Sequence, residues 1–262
     1  MSDRRRKNDQ LAHLLPIGFA LALIFIVPVC AGGEKTGKHL FILSGQSNMT
    51  GAVKAAFTAH VEEQYGKENS VVVMRMKSGR GIRFWVADYD QPADRGLTEK
   101  KMTSNGMEYK PLLETALAAI KGQSFDTVGF IWMQGESDAN NRLSEVYEES
   151  FLKLVGQLRK DLEREDLYYV IGRINDYARS RPDNVHWKRV RETQVKLGKT
   201  PGNAWIDTDD LNGGDANNPD GDIHFPKDGA AKLGQRFAKK AVELIRKRPA
   251  RTANETKSKE EE

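Results

Sequence analysis

Cysteine is almost absent from this 262-residue chain, in which Cys30 is the only one. A single thiol cannot close an intramolecular disulfide, nor supply the paired thiolates of a typical structural zinc site. Cys30 also lies inside an N-terminal segment that we expect to be removed on export. The mature domain is therefore expected to depend on its apolar core, without disulfides or thiolate chemistry.

Histidine is scarce as well. The five histidines are His13, His39, His60, His186 and His224. They show no His-x-x-x-His spacing, which is the commonest zinc motif on a helix. We therefore expect no metal site and no organic cofactor.

A strong excess of charge is also lacking. The formal net charge is +4, and residues 1–31 contribute two of these charges through four basic and two acidic side chains. The rest of the chain is close to neutral and has no stripe of basic and aromatic residues. Nucleic acid is therefore excluded as a partner.

The N-terminus has the pattern of a secretory signal peptide. Basic residues 4–7 precede an apolar run from about Leu14 to Cys30, followed by small residues before the expected cleavage site. We predict a signal peptide over residues 1–31 and export to the periplasm or the extracellular space. An uncleaved membrane anchor is the alternative, although roughly 17 apolar residues fall short of the ~20 that span a membrane. Residues 32–247 are then one domain, and residues 248–262 a disordered charged tail.

Short apolar runs alternate with amphipathic stretches along the domain. Predicted strands, buried on both faces, are His39–Leu43, Val71–Met76, Thr127–Met133, Leu167–Ile174 and Ala204–Ile206. Predicted helices are Pro111–Lys121, Leu143–Leu162, Asp183–Leu197 and Asp228–Arg246. This alternation predicts an α/β fold: a three-layer α/β/α sandwich around a mostly parallel five-stranded sheet. Ligands of such folds bind just beyond the carboxyl ends of the strands.

The first predicted strand runs directly into Ser44–Gly51 (SGQSNMTG). A serine at the end of a strand, such as Ser47, can expose its hydroxyl as a nucleophile and offer its own backbone N–H to an oxyanion. Alternatively, Ser47 or Asn48 is only the N-cap of a following helix. This block alone is compatible with both interpretations.

Two further blocks place polar side chains at the same predicted edge. Trp132–Asp138 (WMQGESD) follows the third strand, and in it Gln134 can donate a hydrogen bond to an oxyanion. Asp220–Phe225 (DGDIHF) places His224 among acidic residues, which suits a general base whose tautomer is held by a carboxylate. Each block has an ordinary structural explanation, but their combination favours acyl-transfer chemistry.

The segment after the second predicted strand contains Gly79, where the lack of a side chain lets a ligand approach the backbone N–H closely. A turn glycine without a functional role fits equally well. The long irregular stretch that follows has the character of a substrate-contacting loop. Its candidates are Arg80, Arg83, Trp85 and Tyr89, of which Arg83 could equally be a surface charge and Trp85 part of the core.

Together these blocks resemble the sialate O-acetylesterase-like branch of the SGNH hydrolases, which includes the acetylxylan esterases of carbohydrate esterase family six. The resemblance rests on Gly45–Met49, Trp132–Asp138 and Asp222–Phe225 in that order, and spans roughly Leu40 to Phe237. It implies the flavodoxin-like SGNH hydrolase fold. It also implies hydrolysis of O-acetyl esters on carbohydrates without a cofactor.

The resemblance further implies a role for each matching residue. Ser47 is the nucleophile and contributes its N–H to the oxyanion hole, and His224 is the base. Gly79 and Gln134 supply the other oxyanion donors.

This chain departs from the superfamily pattern at the acid that orients the histidine. Much of the superfamily places it three residues before the histidine, where this chain has Gly221. Members of the sialate O-acetylesterase-like branch often read Asp-Ile-His, as residues 222–224 do here. The resemblance therefore implies Asp222 as the orienting acid, with Asp220 as its rival.

We predict a serine esterase that acts on acetylated oligo- or polysaccharides of the acetylxylan or sialate type. The predicted substrate contacts are Asn48, Glu136, Arg83 and Trp85. An inactive carbohydrate-binding homologue on the same fold is the alternative, since a fold does not determine activity. A flavin or nucleotide binder is disfavoured because Ser44–Gly51 is not a glycine-rich phosphate loop. The acetylated sugar and the oligomeric state stay open.

Overall fold

The computed structural model describes residues 37–92, 103–177, 182, 184–214 and 221–248. The predicted signal peptide, the tail from residue 249 onward and the rival acid Asp220 lie outside these residues. Predictions about these parts of the chain therefore stay predictions.

The core is a five-stranded sheet in which every neighbouring pair of strands is parallel. In chain order the strands are β1 (His39–Gly45), β2 (Ser70–Met76), β3 (Thr127–Met133), β4 (Tyr168–Gly172) and β5 (Ala204–Ile206). Their order across the sheet is β2-β1-β3-β4-β5. The predicted α/β fold with its five-stranded sheet is confirmed, and the described pairings are entirely rather than mostly parallel.

The three strands on one side of the sheet end level with one another. Gly45, the last residue of β1, pairs in register with Met76 of β2 and Met133 of β3. β1 and β3 are buried along their whole length, as their unbroken apolar character predicts. The segments that follow β1, β2 and β3 therefore begin at one edge of the sheet.

Six α-helices accompany the sheet in the described part of the chain. They are α1 (Gly51–Tyr65), α2 (Tyr109–Ile120), α3 (Glu136–Asn140), α4 (Tyr147–Asp161), α5 (Val185–Gly198) and α6 (Lys227–Lys247). Four of them lie where the amphipathic pattern predicts, but the helix expected over Leu143–Leu162 begins as a 3-10 turn at Ser144–Val146. No helix within the described ranges has both the length and the hydropathy needed to cross a membrane.

The amphipathic pattern does not predict α1. Its buried side chains are Val53, Phe57 and Val61. One line at four-residue spacing is a narrow stripe, so the helical period is weak in the sequence. Thr50 accepts a hydrogen bond from Val53 N at 3.3 Å and is the N-cap. The alternative in which Ser47 or Asn48 caps this helix is therefore wrong.

The helices cover both faces of the sheet. Right-handed crossovers between parallel strands put α1 on one face and α2, α4 and α5 on the other. α6 returns to the first face, where it packs against α1. This close approach requires a glycine, because a Cβ at Gly234 would lie 2.3 Å from the Val53 carbonyl oxygen. The two helical layers explain why β1 and β3 are apolar on both faces.

Candidate active site

The candidate nucleophile and the candidate base meet at the carboxyl edge of the sheet. Ser47 Oγ lies 3.0 Å from His224 Nε2, although 177 positions separate the two residues. Ser47 lies in the turn between β1 and α1, and His224 in the loop before α6. The His224 side chain is 59% exposed, so a substrate can reach it. A serine hydroxyl within hydrogen-bond reach of an imidazole is the arrangement that activates serine for attack.

The turn that carries Ser47 is held by the neighbouring strands. Gln46 N donates to Met133 O at 2.9 Å, and Lys77 N donates to Gly45 O at 3.0 Å. Gly45 has a φ of +139°, and a Cβ there would lie 1.9 Å from Met133 O. Only glycine therefore lets the chain leave β1 so close to β3.

Asp222 lies beside the histidine but contacts its backbone rather than its ring. Asp222 Oδ1 accepts a hydrogen bond from His224 N at 3.0 Å and lies 4.0 Å from His224 Nδ1. At the longer distance the carboxylate can attract an imidazolium but makes no hydrogen bond with it. The Asp222 side chain is 69% exposed, so water competes for its oxygens. Its role as the orienting acid stays a prediction.

Asn48 and Glu136, both predicted to contact substrate, are buried instead, with 2% and 1% of their surfaces exposed. Asn48 Nδ2 donates to Glu136 Oε1 at 2.6 Å and to Ile223 O at 2.9 Å. Asn48 Oδ1 accepts from Phe225 N at 3.2 Å. Glu136 Oε2 has no hydrogen-bond partner among the described residues. The contact of Asn48 and Glu136 with substrate stays a prediction.

Burial changes the acidity of Glu136. Desolvation raises the pKa of this carboxyl to about 7; hydrogen bonds, including the one from Asn48, oppose the rise, and the charge of Asp138 adds to it. The folded protein therefore holds the Glu136 proton at pH values at which the unfolded chain has released it.

The free energy of unfolding of the Glu136→Gln variant is expected to rise, relative to that of wild type, as the pH increases. Because the folded wild type binds the Glu136 proton more tightly, its free energy of unfolding falls as the pH rises from 4.5 to about 7. The loss contributed by this carboxyl is at most about 3 kcal/mol. Glutamine is neutral in the folded and in the unfolded chain, so the variant does not undergo this loss of stability. Urea unfolding of both proteins at pH 5 and pH 8 measures the difference.

The matched control for this prediction is Glu114→Gln. Glu114 lies on α2 with its side chain 63% exposed, so its replacement controls for the exchange of a glutamate for glutamine at a solvated position. If wild type and the Glu136→Gln variant differ in stability by the same amount at pH 5 and pH 8, the elevated pKa of Glu136 is refuted.

Gln134, the predicted third oxyanion donor, is fully buried. Its Nε2 lies 2.5 Å from Asp138 Oδ2, and 3.2 Å from both Gln46 Oε1 and Arg80 O. The amide protons are thus directed at protein acceptors. Donation to a substrate requires one of these bonds to be exchanged, and the oxyanion role of Gln134 stays a prediction.

Asp138 connects the segment after β3 to the segment after β2. Besides Gln134, its Oδ2 accepts a hydrogen bond from Ile82 N at 2.9 Å. Burial raises the pKa of Asp138 to about 6, and the bonds from Gln134 and Ile82 oppose the rise. Gly79, in the turn of the same segment, is exposed, with a φ of +67° and open space where a side chain would lie. A ligand can approach this turn, but donation by the Gly79 N–H stays a prediction.

The two other predicted substrate contacts, Trp85 and Arg83, differ in their exposure to solvent. Trp85 is fully buried and packs edge-on against Trp132, with 5.2 Å between ring centroids, and its contact with substrate stays a prediction. Arg83 is partly exposed; its Nη1 donates to Asn105 at 2.8 Å, and its guanidinium lies 4.0 Å from the centroid of the Phe84 ring. Its contact with substrate stays a prediction.

Sequence reasoning missed Asn175, which holds the loop of His224 from another direction. Asn175 Nδ2 donates to Asp222 O at 3.0 Å and lies 3.3 Å from Ile223 O. Trp187 Nε1 donates to Asn175 O at 2.7 Å. The sequence contained a signal for this residue, because Asn175 directly follows the fourth predicted strand at the edge where ligands bind.

A cavity of about 360 Å³ opens next to Asn175, at Asp176 and Trp187. Its described lining residues are Asp176, Asn184, Trp187, Lys188, Arg191 and Asp209. Asn212 connects it to the His224 loop, because Asn212 Nδ2 donates to Asp176 Oδ1 at 3.3 Å and Asn212 O accepts from Asp222 N at 2.9 Å. In the described ranges, no three His, Cys, Asp or Glu side chains converge closely enough to hold a metal ion.

Comparison with known protein families identifies a family that matches this chain. Residues 91–243 match the family described as SASA, carbohydrate esterase, sialic acid-specific acetylesterase. The match covers more than half of the chain. The chain belongs to this family. The matched range of this carbohydrate esterase family contains Gln134, Glu136 and His224, and it begins after Ser47 and Gly79.

Solved structures share the fold of this carbohydrate esterase family member. A protein from Arabidopsis thaliana has a TM-score of 0.57 and 17% identity, over 80% of this chain and 99% of its own. A carbohydrate acetylesterase from Xanthomonas citri has a TM-score of 0.58 and 18% identity, over 80% of this chain and 57% of its own. Est24, a carbohydrate acetylesterase from Sinorhizobium meliloti, has a TM-score of 0.50 and 16% identity, over 79% of this chain and 99% of its own.

At these identities the structural likeness shows a shared α/β fold, and the family match supports an esterase. Among curated protein sequences, none matches this chain. The acyl group, the substrate and the roles of individual residues therefore have to be argued from the site itself.

Proposed function

We propose that this chain is a serine esterase that hydrolyses O-acetyl esters on carbohydrates through an acetylated Ser47. The observation that carries the proposal is the 3.0 Å contact between Ser47 Oγ and His224 Nε2. Membership of a carbohydrate esterase family supports the reaction class. The substrate is an acetylated oligo- or polysaccharide, and two of the similar structures are themselves carbohydrate acetylesterases.

In the first half of the reaction, His224 Nε2 takes the proton of Ser47 Oγ as the oxygen attacks the acetyl carbonyl carbon. The carbonyl electrons move onto its oxygen and form a tetrahedral oxyanion. The N–H groups of Ser47 and Gly79 donate to that oxyanion, with Gln134 joining after exchange of one hydrogen bond. Each donor is worth about 2.7–4 kcal/mol of barrier. Collapse breaks the bond to the sugar oxygen, which receives the proton from His224.

In the second half, water replaces the sugar. His224 takes a proton from the water as its oxygen attacks the acetyl carbon on Ser47, and a second oxyanion forms at the same donors. Its collapse breaks the bond to Ser47 Oγ, returns the proton to that oxygen and releases acetate. Nucleophile, base and oxyanion donors all come from side chains and backbone of this chain.

The cavity next to Asn175 is the proposed site for the sugar. This cavity is open to a ligand, whereas Asn48, Glu136 and Trp85 are buried. The cavity presents an amide and groups of both charges, which can donate hydrogen bonds to sugar hydroxyls and accept them. Export of the enzyme, predicted from residues 1–31, fits a substrate that is too large to enter a cell.

The test of the proposed function is acetate release from a panel of acetylated polysaccharides, together with labelling of Ser47 by a fluorophosphonate. We expect release from at least one acetylated glycan, and faster turnover of aryl acetates than of aryl butyrates. Mass spectrometry should locate the label on Ser47. Binding of glycans without acetate release or labelling would instead support the inactive carbohydrate-binding homologue.

The two candidate acids can be separated by Asp222→Asn and Asp220→Asn. We expect Asp222→Asn to lower kcat only about tenfold, far less than the ~10⁴ of a buried triad acid, because its carboxylate is exposed and 4.0 Å from the ring. Asp220→Asn should stay within about threefold of wild type. Steady-state kinetics with an aryl acetate measures both variants. A large loss confined to Asp220→Asn would transfer the role to that residue.

A further inference from the structure

Among the described residues, two side chains approach the imidazole of His224, those of Ser47 and Asp222. Its Nδ1 lies 4.0 Å from an Asp222 carboxylate that is itself mostly exposed. An exposed pair of this kind is screened by water and fixes geometry poorly. The 3.0 Å contact with Ser47 Oγ therefore depends on how the backbone of the His224 loop is placed.

Asn48 holds that backbone on both sides of the histidine. Its Nδ2 donates to the carbonyl of Ile223, and its Oδ1 accepts from the N–H of Phe225, at 2.9 and 3.2 Å. A primary amide presents a donor and an acceptor side by side, so one side chain satisfies both neighbours of His224. Because Asn48 is buried, these bonds do not compete with water.

Glu136 sets the orientation of the Asn48 amide. The second Nδ2 proton of Asn48 points at Glu136 Oε1, at 2.6 Å. A flipped amide would place Asn48 Oδ1 against the Ile223 carbonyl, where no donor is available, and would turn its Nδ2 donors towards the Phe225 N–H. Both protons and the oxygen of Asn48 are thus engaged, and only one orientation satisfies them.

We propose that Asn48 is the positioning residue for His224, acting with Glu136 to set the distance between the base and Ser47. Asn48 immediately follows Ser47, so one turn carries both the nucleophile and the group that places its base. This inference rests on the proposed serine esterase mechanism. It assigns Asn48 a function beyond the substrate contact that the sequence predicts.

The central test is Asn48→Ala, assayed with an aryl acetate in the wild-type and His224→Ala backgrounds. In the wild-type background kcat should fall about a hundredfold, since small misplacements at a reacting centre have effects of this size. KM should change less than about threefold, because Asn48 is buried and bonded to protein groups. Fluorophosphonate labelling of Ser47 should slow in parallel with kcat. In the His224→Ala background the same substitution should leave the residual rate unchanged, since the base it positions is absent.

Two further variants keep the proposal testable if Asn48→Ala does not fold. Asn48→Asp keeps the acceptor for Phe225 but places a carboxylate against Glu136 and Ile223, so kcat should again fall. Adding Glu136→Gln supplies a donor to that carboxylate and should recover at least about fivefold in kcat, since it restores the pair between positions 48 and 136. Asn203→Ala is the matched control, because Asn203 bonds the backbone N–H of Tyr169 at 2.9 Å at the opposite edge of the sheet.

The outcomes separate the inference from the proposed function. A wild-type protein that neither releases acetate nor labels at Ser47 refutes the proposed function. An active wild type whose Asn48→Ala variant keeps kcat within about threefold overturns the positioning role alone. The positioning role is also overturned if Asn48→Ala lowers the residual rate of the His224→Ala protein, or if Asn203→Ala lowers kcat as much.

Discussion

Ser47→Ala is expected to abolish esterase activity while leaving the fold intact. Removing the nucleophile of a serine hydrolase lowers kcat by about 10⁶, because only oxyanion donors and substrate binding then remain. The Ser47 hydroxyl contacts His224 at an exposed site, so its loss leaves no buried polar group unpaired. The free energy of unfolding should therefore change by less than about 0.5 kcal/mol.

The measurement is the hydrolysis of an aryl acetate, with circular dichroism and urea unfolding to establish the fold. Ser137→Ala is the matched control: this serine lies at the same edge of the sheet, and its backbone N–H, which alanine keeps, lies 3.2 Å from Gln46 Oε1. The control should retain the wild-type rate. Undiminished turnover by Ser47→Ala would show that another group attacks the ester.

His224→Ala is expected to reduce kcat nearly as much, by about 10⁵–10⁶. Without the imidazole, no other base in the described part of the chain contacts the Ser47 hydroxyl, so proton removal from Ser47 and from the deacylating water should both slow. Labelling of Ser47 by the fluorophosphonate should therefore become undetectable on the time scale of wild-type labelling. Because the His224 side chain is more than half exposed, the fold should tolerate its removal.

His60→Ala is the matched control for the base. His60 is a partly exposed histidine on α1 that lies 3.8 Å from Glu63, away from the carboxyl edge of the sheet. Its removal should leave kcat within about twofold. The double substitution of Ser47 and His224 should be no worse than either single one, since the two groups act as a unit. Additive losses would mean that they act in separate steps.

The reactive groups of this site are exposed, whereas the groups that hold them are buried. Glu136, Asp138 and Gln134 have 1% or less of their surface exposed, and burial raises the pKa of both carboxyls. Burying them costs folding free energy, which hydrogen bonds only partly offset. Such a cost is typical of functional sites, where a fixed geometry is maintained at the expense of stability.

The strands were the most predictable part of the fold. The pattern of Thr127–Met133 matches β3 residue for residue, because a strand buried on both faces has to be apolar throughout. α1 could not be predicted in the same way. Its narrow buried stripe leaves most of its positions free to vary, and its start depends on a single capping side chain, Thr50.

The candidate site was only partly predictable, and burial is the reason. Asn48 and Glu136 are polar residues in a block at the end of a strand, and such residues usually face solvent or a ligand. The sequence does not show that each will be satisfied by the other, because their hydrogen bond joins positions 88 residues apart. Trp85 presented the same difficulty, since an aromatic side chain in a loop can line a cleft or fill the core.

By itself, the sequence determined the alternation of apolar and amphipathic segments, and with it the parallel sheet and the edge at which polar residues collect. These follow from local periodicity, which each segment carries independently of the others. Only the tertiary structure decided which of those polar residues face each other. The 3.0 Å approach of Ser47 to His224 and the burial of Asn48 between them and Glu136 depend on contacts between segments far apart in the chain, and such contacts have no period in the sequence.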